Sequence, residues 1–398
     1  MDESTDQPIN LARRIKRRAW APTWDWFAAC APGLEEICAA ELAALGLETG
    51  PPQGGGVGFR GRLEAAYLAN LWLRCAGRVL LRLADFRVRT WQDLVRQAGR
   101  IPWEVFLRPG RELRIQVSLR ASNLRHSGRV AEVVLEQAAR RLESLGLEPP
   151  RAAAAHQAGA QLVLVRGYQR RALISLDTSG EHLHRRGYRL AAGSAPLRED
   201  LAAALLSLCA YRGGQTLLDP MTGSGTLAIE AALLARGLPP ALQRSLALES
   251  WPCHRAPTWD HLRKRARQEA LPRAPGAILA RDLRPQALEQ ARQNAGRAGV
   301  EGDLELMRAD LLESPPPPGP AGLVVINPPY GRRLLSPNQA TRLVREVARK
   351  LRREYQGWQV GLVLQRPAWQ GLFSLKGTRR LVAAHGGLKV TLLSGRVG

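Results

Sequence analysis

Two short stretches carry residue types that could do chemistry together. The first is Leu217-Leu218-Asp219-Pro220-Met221-Thr222-Gly223-Ser224-Gly225-Thr226; the second, Asn327-Pro328-Pro329-Tyr330, begins 101 residues after Thr226. In the first, an apolar run ends in a carboxylate, passes through a turn with two glycines and enters a helical run, Thr226 to Leu234. Glycine at 223 and 225 permits positive φ and lets a ligand approach the backbone without meeting a Cβ. The free N–H groups and partial positive charge of the helix N-terminus suit an anionic group. A lone Gly-x-Gly also fits an ordinary strand-to-helix turn, so its neighbours decide.

Those neighbours are carboxylates at strand ends. A dinucleotide site places its ribose acid about 20 residues past the glycines, whereas the next strand-terminal acid here, Asp282, lies 57 residues past Gly225. Position 228, where a third glycine is sought, is alanine, a permitted variant, and no Walker lysine follows. The pattern favours S-adenosylmethionine over a dinucleotide or a nucleoside triphosphate. Asp282 follows the strand-like Ala277-Ile278-Leu279-Ala280 and suits two ribose hydroxyls, or equally a helix N-cap. Asp310 follows Leu304-Glu305-Leu306-Met307 and is placed for an adenine amine. Three carboxylates along one edge of a parallel sheet make a cofactor cleft.

The second stretch follows Leu323-Val324-Val325-Ile326, a fourth buried-strand pattern. Its two prolines forbid helix or sheet and remove two backbone donors, leaving carbonyls to point into a site. The exocyclic amine of a base is a poor nucleophile because its lone pair is conjugated with the ring. If the Asn327 side-chain oxygen and the Pro328 carbonyl each accept one amine hydrogen, nitrogen can become tetrahedral and aim its lone pair at a methyl group. Tyr330 offers a face on which an extruded base can stack.

The elements that must position these groups form an alternating strand-helix pattern. From Trp24 to Leu47 the reading is strand, helix, turn; Gly54 to Phe59 is a glycine-rich turn entering a strand. From Tyr67 to Leu147 it is helix, strand, helix, strand, helix, and Gln161 to Asp177 gives two further strands. A helix over Gln339–Tyr355 and strands near Val360–Leu364 and Leu388–Leu393 complete the second sheet. Ser314 to Pro320 reads as a stiff surface linker. Lys and Arg number 58 against 35 Asp and Glu, a formal charge of +23, with arginine far ahead of lysine. A GC-rich genome explains the choice of arginine but not the excess, so a polyanion is the expected partner. No apolar run reaches the roughly 20 residues of a membrane span, and the odd five cysteines form no CxxC pair, which suits reduced thiols in the cytoplasm. His182 and His184 lack a third nearby ligand, so no metal is expected. Residues 1–23, with Arg13-Arg14-Ile15-Lys16-Arg17-Arg18, read as a disordered basic arm.

Taken together, the Asp-Pro-x-Thr-Gly-Ser-Gly turn, Asn-Pro-Pro-Tyr and the aromatic-Ala strand followed by Pro32-Gly33-Leu34-Glu35-Glu36 resemble the RNA guanine-N2 methyltransferases with an N-terminal THUMP domain, most closely the RlmL type acting on 23S ribosomal RNA. The resemblance runs from about Trp26 to the end. It implies an α/β chain: ferredoxin-like and THUMP modules of α+β type over 24–178, then a Rossmann-like, doubly wound, mostly parallel class I methyltransferase domain over 179–398. It implies that Asp219, Pro220, Thr222, Gly223, Gly225 and Thr226, with Pro196 and Arg198 from the preceding segment, hold the methionine end of the cofactor. Asp282 would take its ribose, Asp310 its adenine, and Asn327, Pro328 and Tyr330 the target amine. Arg120, Asn123, Arg125, His126, Arg185, Arg186 and Arg189 would face RNA. Departures are Thr222 where relatives commonly have cysteine, Ala280 for glycine, Arg284 for a second acid, Arg198 for lysine and Arg332 for glutamate. Some relatives continue into a second methyltransferase, so one activity is expected here. Alternatives are the same reaction on tRNA, an amino-methyltransferase for DNA or a protein glutamine, and a non-catalytic RNA-binding ribosome-assembly factor.

Overall fold

The computed structural model describes residues 6–20, 22–154, 157, 159–189, 197–329, 336–385 and 387–398. Alternating apolar and polar positions from Trp24 onward build a first sheet buried on one face. Its elements are α1 (Asp6–Trp20), β1 (Trp24–Cys30), α2 (Glu35–Ala44), β2 (Glu48–Gln53), β3 (Gly56–Gly61), α3 (Leu63–Trp72), β4 (Ala76–Arg87), α4 (Trp91–Arg100), α5 (Trp103–Phe106), β5 (Glu112–Arg120), α6 (Ser127–Glu143), β6 (Arg151–Ala152), β7 (Gln161–Tyr168) and β8 (Arg171–Asp177). The strand order is β2-β3-β1-β4-β8-β7-β5-β6, with β5 parallel to β6 and β7 and the other pairs antiparallel. Trp26, Phe59, Val79, Leu81, Val163 and Ile174 point to one face and share a core with Leu94, Val134 and Leu142 of the helices.

The second sheet is built from α7 (Glu199–Leu208), β9 (Leu217–Asp219), α8 (Thr226–Ala235), α9 (Ala256–Glu269), β10 (Ile278–Asp282), α10 (Pro285–Ala298), β11 (Leu304–Arg308), β12 (Leu323–Ile326), α11 (Pro337–Glu354), β13 (Gln359–Leu364), β14 (Leu375–His385) and β15 (Leu388–Val397). Its order is β11-β10-β9-β12-β13-β15-β14, parallel through β13 and antiparallel beyond. The short apolar runs at β9 and β12 are buried at every position, as strands covered on both faces require. Successive strands step away from β9 on one side as far as β11 and then return to its other side at β12. That reversal opens a crevice at the carboxyl ends of β9 and β12.

Two features differ from expectation. Residues 6–20 form a helix, not a disordered arm, because α1 has somewhere to dock. Ala19 is buried, Trp20 donates its indole N–H to the Cys253 carbonyl at 3.0 Å, and Arg14 and Arg18 reach the carboxylate of Glu104 at 3.4 and 3.2 Å. Residues 242–266, which follow α8 in sequence, pack into the core of the first sheet through Leu246, Leu248, Trp251, Cys253, Trp259 and Leu262. Tyr67 anchors this insertion, bonding His254 Nδ1 and the Arg255 N–H at 2.8 Å each and stacking on Trp259.

Glu104 carries a third arginine, Arg141, at 2.9 and 2.7 Å. Burial alone would raise its carboxyl pKa, but the Arg141 hydrogen bonds and the charges of Arg141 and Arg14 outweigh burial and hold it below the ordinary range. A depressed folded-state value means that the stabilisation is present above the unfolded pKa and is lost as pH falls through the folded one. Glu104→Ala strands three arginines at a partly buried site and should cost about 2–4 kcal/mol. Urea unfolding measures the loss, and limited proteolysis should cut first within residues 6–20; an uncut helix would mean that Glu104 does not hold it.

Candidate active site

The turn after β9 is held open from below. Thr222 donates its N–H to the Arg281 carbonyl at 2.9 Å and Gly225 to Thr222 at 2.8 Å, while Asn294 on α10 caps the Ser224 carbonyl at 2.9 Å. Gly225 sits at φ 84° as the N-cap of α8, where a Cβ would meet Ala291 Cβ at 3.0 Å. Glycine therefore lets α8 and α10 approach at the cleft. Gly223, at φ 54°, would project a Cβ into open space, and its N–H binds Asp282 at 2.9 Å.

Above this turn lies a cavity of about 570 Å³. Of the expected cofactor residues, Pro220, Thr222, Gly223, Thr226, Asp282, Asp310 and Asn327 line it, joined by Pro328. Asp219 lies beneath the turn, 1% exposed; the Thr222 hydroxyl and the Met221 and Ala228 N–H groups lie near its carboxylate, but none makes a well-formed hydrogen bond to it. The hydroxyl of Thr222 and the side-chain oxygen of Asn327 are likewise buried without partners. Buried polar groups are nearly always paired, so three such residues in one place mark a site shaped for polar groups from elsewhere. Asp282 is engaged on both oxygens, by the N–H groups of Gly223 and Arg284 and by the Arg284 guanidinium at 3.3 Å, so of a carboxylate's roughly four acceptor positions one is left. Asp310 binds the Leu312 N–H at 2.9 Å through one oxygen.

Other expected residues fall elsewhere. Pro196 and Tyr330 lie outside the described residues. Arg198 does not line the cavity and pairs with Asp200 at the start of α7. Arg186 was expected to face RNA, but it is 6% exposed: its guanidinium binds the carbonyls of Leu183 and Arg74 at 2.7 and 2.6 Å and approaches Glu230 at 3.4 Å. Arg189 is likewise turned inward, to Glu199 at 2.9 Å, the Leu197 carbonyl at 3.0 Å and the Thr226 hydroxyl at 3.2 Å. It braces the first residue of the cofactor helix. Arg185 is exposed and pairs with Glu181, while Arg120, Asn123, Arg125 and His126 are exposed at the far end of the first sheet. His182 and His184 lie with ring centroids 5.1 Å apart; burial, with neighbouring arginines, lowers their pKa to about 4 and about 3, so both are neutral. Among the described residues no group of three could hold a metal ion.

Sequence reasoning missed the apolar walls of the cavity, Met221, Leu283 and Leu311 to Leu312, and the polar rim of Gln286 and Gln290 on α10. A signal was present for Leu283. An apolar residue directly after a strand-terminal acid, 55% exposed here, marks an apolar surface at the cavity rim.

Residues 186–394 match the family model of the RMKL-like methyltransferase domain, and residues 25–80 match that of the RlmL ferredoxin-like domain. Ribosomal RNA large subunit methyltransferase K/L of Syntrophotalea carbinolica is 35% identical over 388 residues, covering 93% of this chain and 53% of its own. Its counterpart in Methylococcus capsulatus is 38% identical over 361 residues, covering 86% and 47%. The chain thus spans about half the length of the curated relatives it matches. Among solved structures, a methyltransferase complexed with SAH has a TM-score of 0.84 at 26% identity, with 94% of this chain and 98% of that chain covered. A Listeria monocytogenes protein predicted to be an N6-adenine-specific DNA methylase has a TM-score of 0.83 at 28% identity, with 95% and 97% covered.

Burial pushes the Asp219 carboxyl up to about 7, the nearby Thr222 and Met221 opposing the rise and the charge of Asp282 adding to it. A raised folded-state value means that stability is full below the unfolded pKa of about 3.9 and is lost as pH rises through about 7. Asp219→Asn cannot ionise. Relative to wild type it should gain on the order of 2–4 kcal/mol in stability between pH 4.5 and pH 8. Urea unfolding of both proteins at the two pH values measures this; parallel behaviour would show that Asp219 ionises like an exposed acid.

Proposed function

The chain belongs to the RMKL-like methyltransferase domain family, and from that premise we propose that it transfers a methyl group from S-adenosylmethionine to the exocyclic N2 amine of a guanine in 23S ribosomal RNA. The observation that carries the reading is one cavity whose wall brings together Thr222, Asp282, Asp310 and the unpartnered Asn327 oxygen, with the buried Asp219 beneath its turn. Two different ligand parts would satisfy them.

For the cofactor, Asp219 is the counter-ion of the methionine ammonium, and the backbone of Thr222 to Gly225 with the N-terminus of α8 receives the carboxylate. The free acceptor position of Asp282, with the one held by the exposed Arg284 side chain, suits the ribose hydroxyls, and Asp310 suits the adenine amine. Leu283 and Leu311 supply apolar surface for the adenine faces. When bound, S-adenosylmethionine supplies an electrophilic sulfonium methyl.

The chain's own part is to make the amine a nucleophile. Asn327 Oδ1 accepts one amine hydrogen and the Pro328 carbonyl the other, drawing nitrogen out of conjugation without a strong base. The Asn327 oxygen is already desolvated and lacks a donor, so the hydrogen bond forms at little reorganisation cost. Tyr330 is proposed as the stacking face for the extruded base. The +23 charge suits an RNA substrate, and ribosomal RNA places the action in the cytoplasm. No helix among the described residues is long and apolar enough to cross a membrane.

The test is methyl transfer from labelled S-adenosylmethionine to large-subunit rRNA, small-subunit rRNA, tRNA and DNA, followed by nucleoside analysis. The expected product is N2-methylguanosine in large-subunit rRNA. Asn327→Ala should lower the rate about 100-fold or more while cofactor affinity, read by calorimetry, persists; undiminished turnover would remove the amine-gripping step. Label in tRNA would keep the chemistry and change the substrate, N6-methyladenine in DNA would change both, and an unlabelled set would favour a binding protein.

A further inference from the structure

On the face of the first sheet opposite Trp26, Val79 and Leu81, the residues Phe27, Leu80, Leu162 and Ser175 are buried, while those around Tyr168 are exposed. That face is not uniform. Arg60 pairs with Asp25 at 3.1 Å, and Arg171, beside Tyr168, with Asp85 at 2.7 Å. Arg87, Arg120 and Arg166 are not paired in this way among the described residues.

Along β7, Leu164, Arg166 and Tyr168 alternate with the core residues Val163, Val165 and Gly167. Register sets Arg120 of β5 and Arg171 of β8 on either side of Tyr168, Ser118 opposite Arg166, and Arg87 opposite Arg171. Tyr168 is 60% exposed, the most exposed large apolar side chain among the described residues. Arg87, Arg120 and Arg166 are exposed, and among the described residues none has a carboxylate within ion-pair distance. Arg82, on the same face, lies over the Phe27 ring at 4.4 Å.

The corner is rigid. Gln169 donates its N–H to the Arg120 carbonyl at 3.3 Å, Asn123 to Gln169 at 3.2 Å and Val88 to Arg170 at 2.8 Å. Ala121 and Gln169 take φ of 47° and 50° to make these turns, and the Gln169 amide holds the Tyr168 hydroxyl at 3.3 Å. These backbone bonds fix where the chain presents the Tyr168 ring.

We propose that this face binds an unpaired segment of the RNA, with one base stacked on Tyr168 and the backbone phosphates held by Arg87, Arg120 and Arg166. The occupant follows from charge and shape: unneutralised guanidiniums need a polyanion, and an exposed ring needs a π-face that a duplex keeps hidden. An acidic protein segment would meet the first requirement only. The inference rests on the RNA reading above and adds to it that this unit selects single strands.

The test is fluorescence anisotropy of the full chain with oligouridine and with an RNA duplex of equal length. Tyr168→Ala should weaken oligouridine binding about 5- to 100-fold without changing the salt slope, and Tyr168→Phe should restore it. Arg120→Ala and Arg166→Ala should each lower the salt slope by about 0.7. Because these side chains are exposed, an unchanged melting temperature is expected and shows that the variants are folded. Unchanged oligouridine affinity in Tyr168→Ala, an equal loss on duplex, or displacement of the RNA by polyglutamate would overturn the proposal. If wild type still methylates rRNA in that case, only this inference fails; if it neither binds nor methylates RNA, both readings fail.

Discussion

The first sheet and the cofactor domain are held together by a buried ion cluster around Glu230. This glutamate sits in the cofactor helix α8 and is 1% exposed. Arg186, from the segment joining the two sheets, approaches it at 3.4 Å, Arg74, from the end of α3, at 3.9 Å, and the Tyr188 hydroxyl at 3.3 Å. The arginines are held in turn by carbonyls: Arg186 by Leu183 and Arg74, and Arg74 by Leu238 at 2.6 Å. Charges taken out of water are tolerable only while the set is complete. The first sheet, the joining segment and the cofactor helix therefore cannot separate without exposing a broken ion set.

A second tie runs the other way. Residues 242–266 leave the cofactor domain and complete the core of the first, with the Trp251 indole bonded to Gln161 at 2.8 Å and Tyr67 stacked on Trp259. Domain and sequence order disagree at this point. The RNA-binding surface proposed on the first sheet is thus tied to the cleft domain by a shared core, as two-site recognition of one polyanion requires.

The cleft was legible in the sequence because its signals are local. Asp219, Asp282 and Asp310 each end or follow a short apolar run, and Gly223 and Gly225 take the positive φ that their turn demands. Arginine roles were not legible. Arg120 and Arg186 sit in similarly basic surroundings, yet one is exposed and the other serves Glu230, because burial depends on a partner 44 residues away. The same reason hid α1, whose charges find Glu104, and β14, where Lys376, Arg379 and Arg380 lie on an exposed edge strand that lacks the apolar alternation of a covered one.

The contrast between these two sets of buried polar groups indicates how the fold is arranged. Glu230, Glu104 and Asp177 are buried beside arginines, so their charges stabilise the frame. Asp219, Thr222 and Asn327 have buried oxygens without a well-formed hydrogen bond and no cation beside them among the described residues, and each such group costs about 1–3 kcal/mol. They fall together at one edge of one sheet, where the surrounding turn is held by the Arg281, Asp282 and Asn294 bonds. The bonds that fix the turn go to Arg281, Asp282 and Asn294, so the buried oxygens beside it are left for a ligand to pair. A ligand that pairs them should both fill the cleft and stabilise the chain.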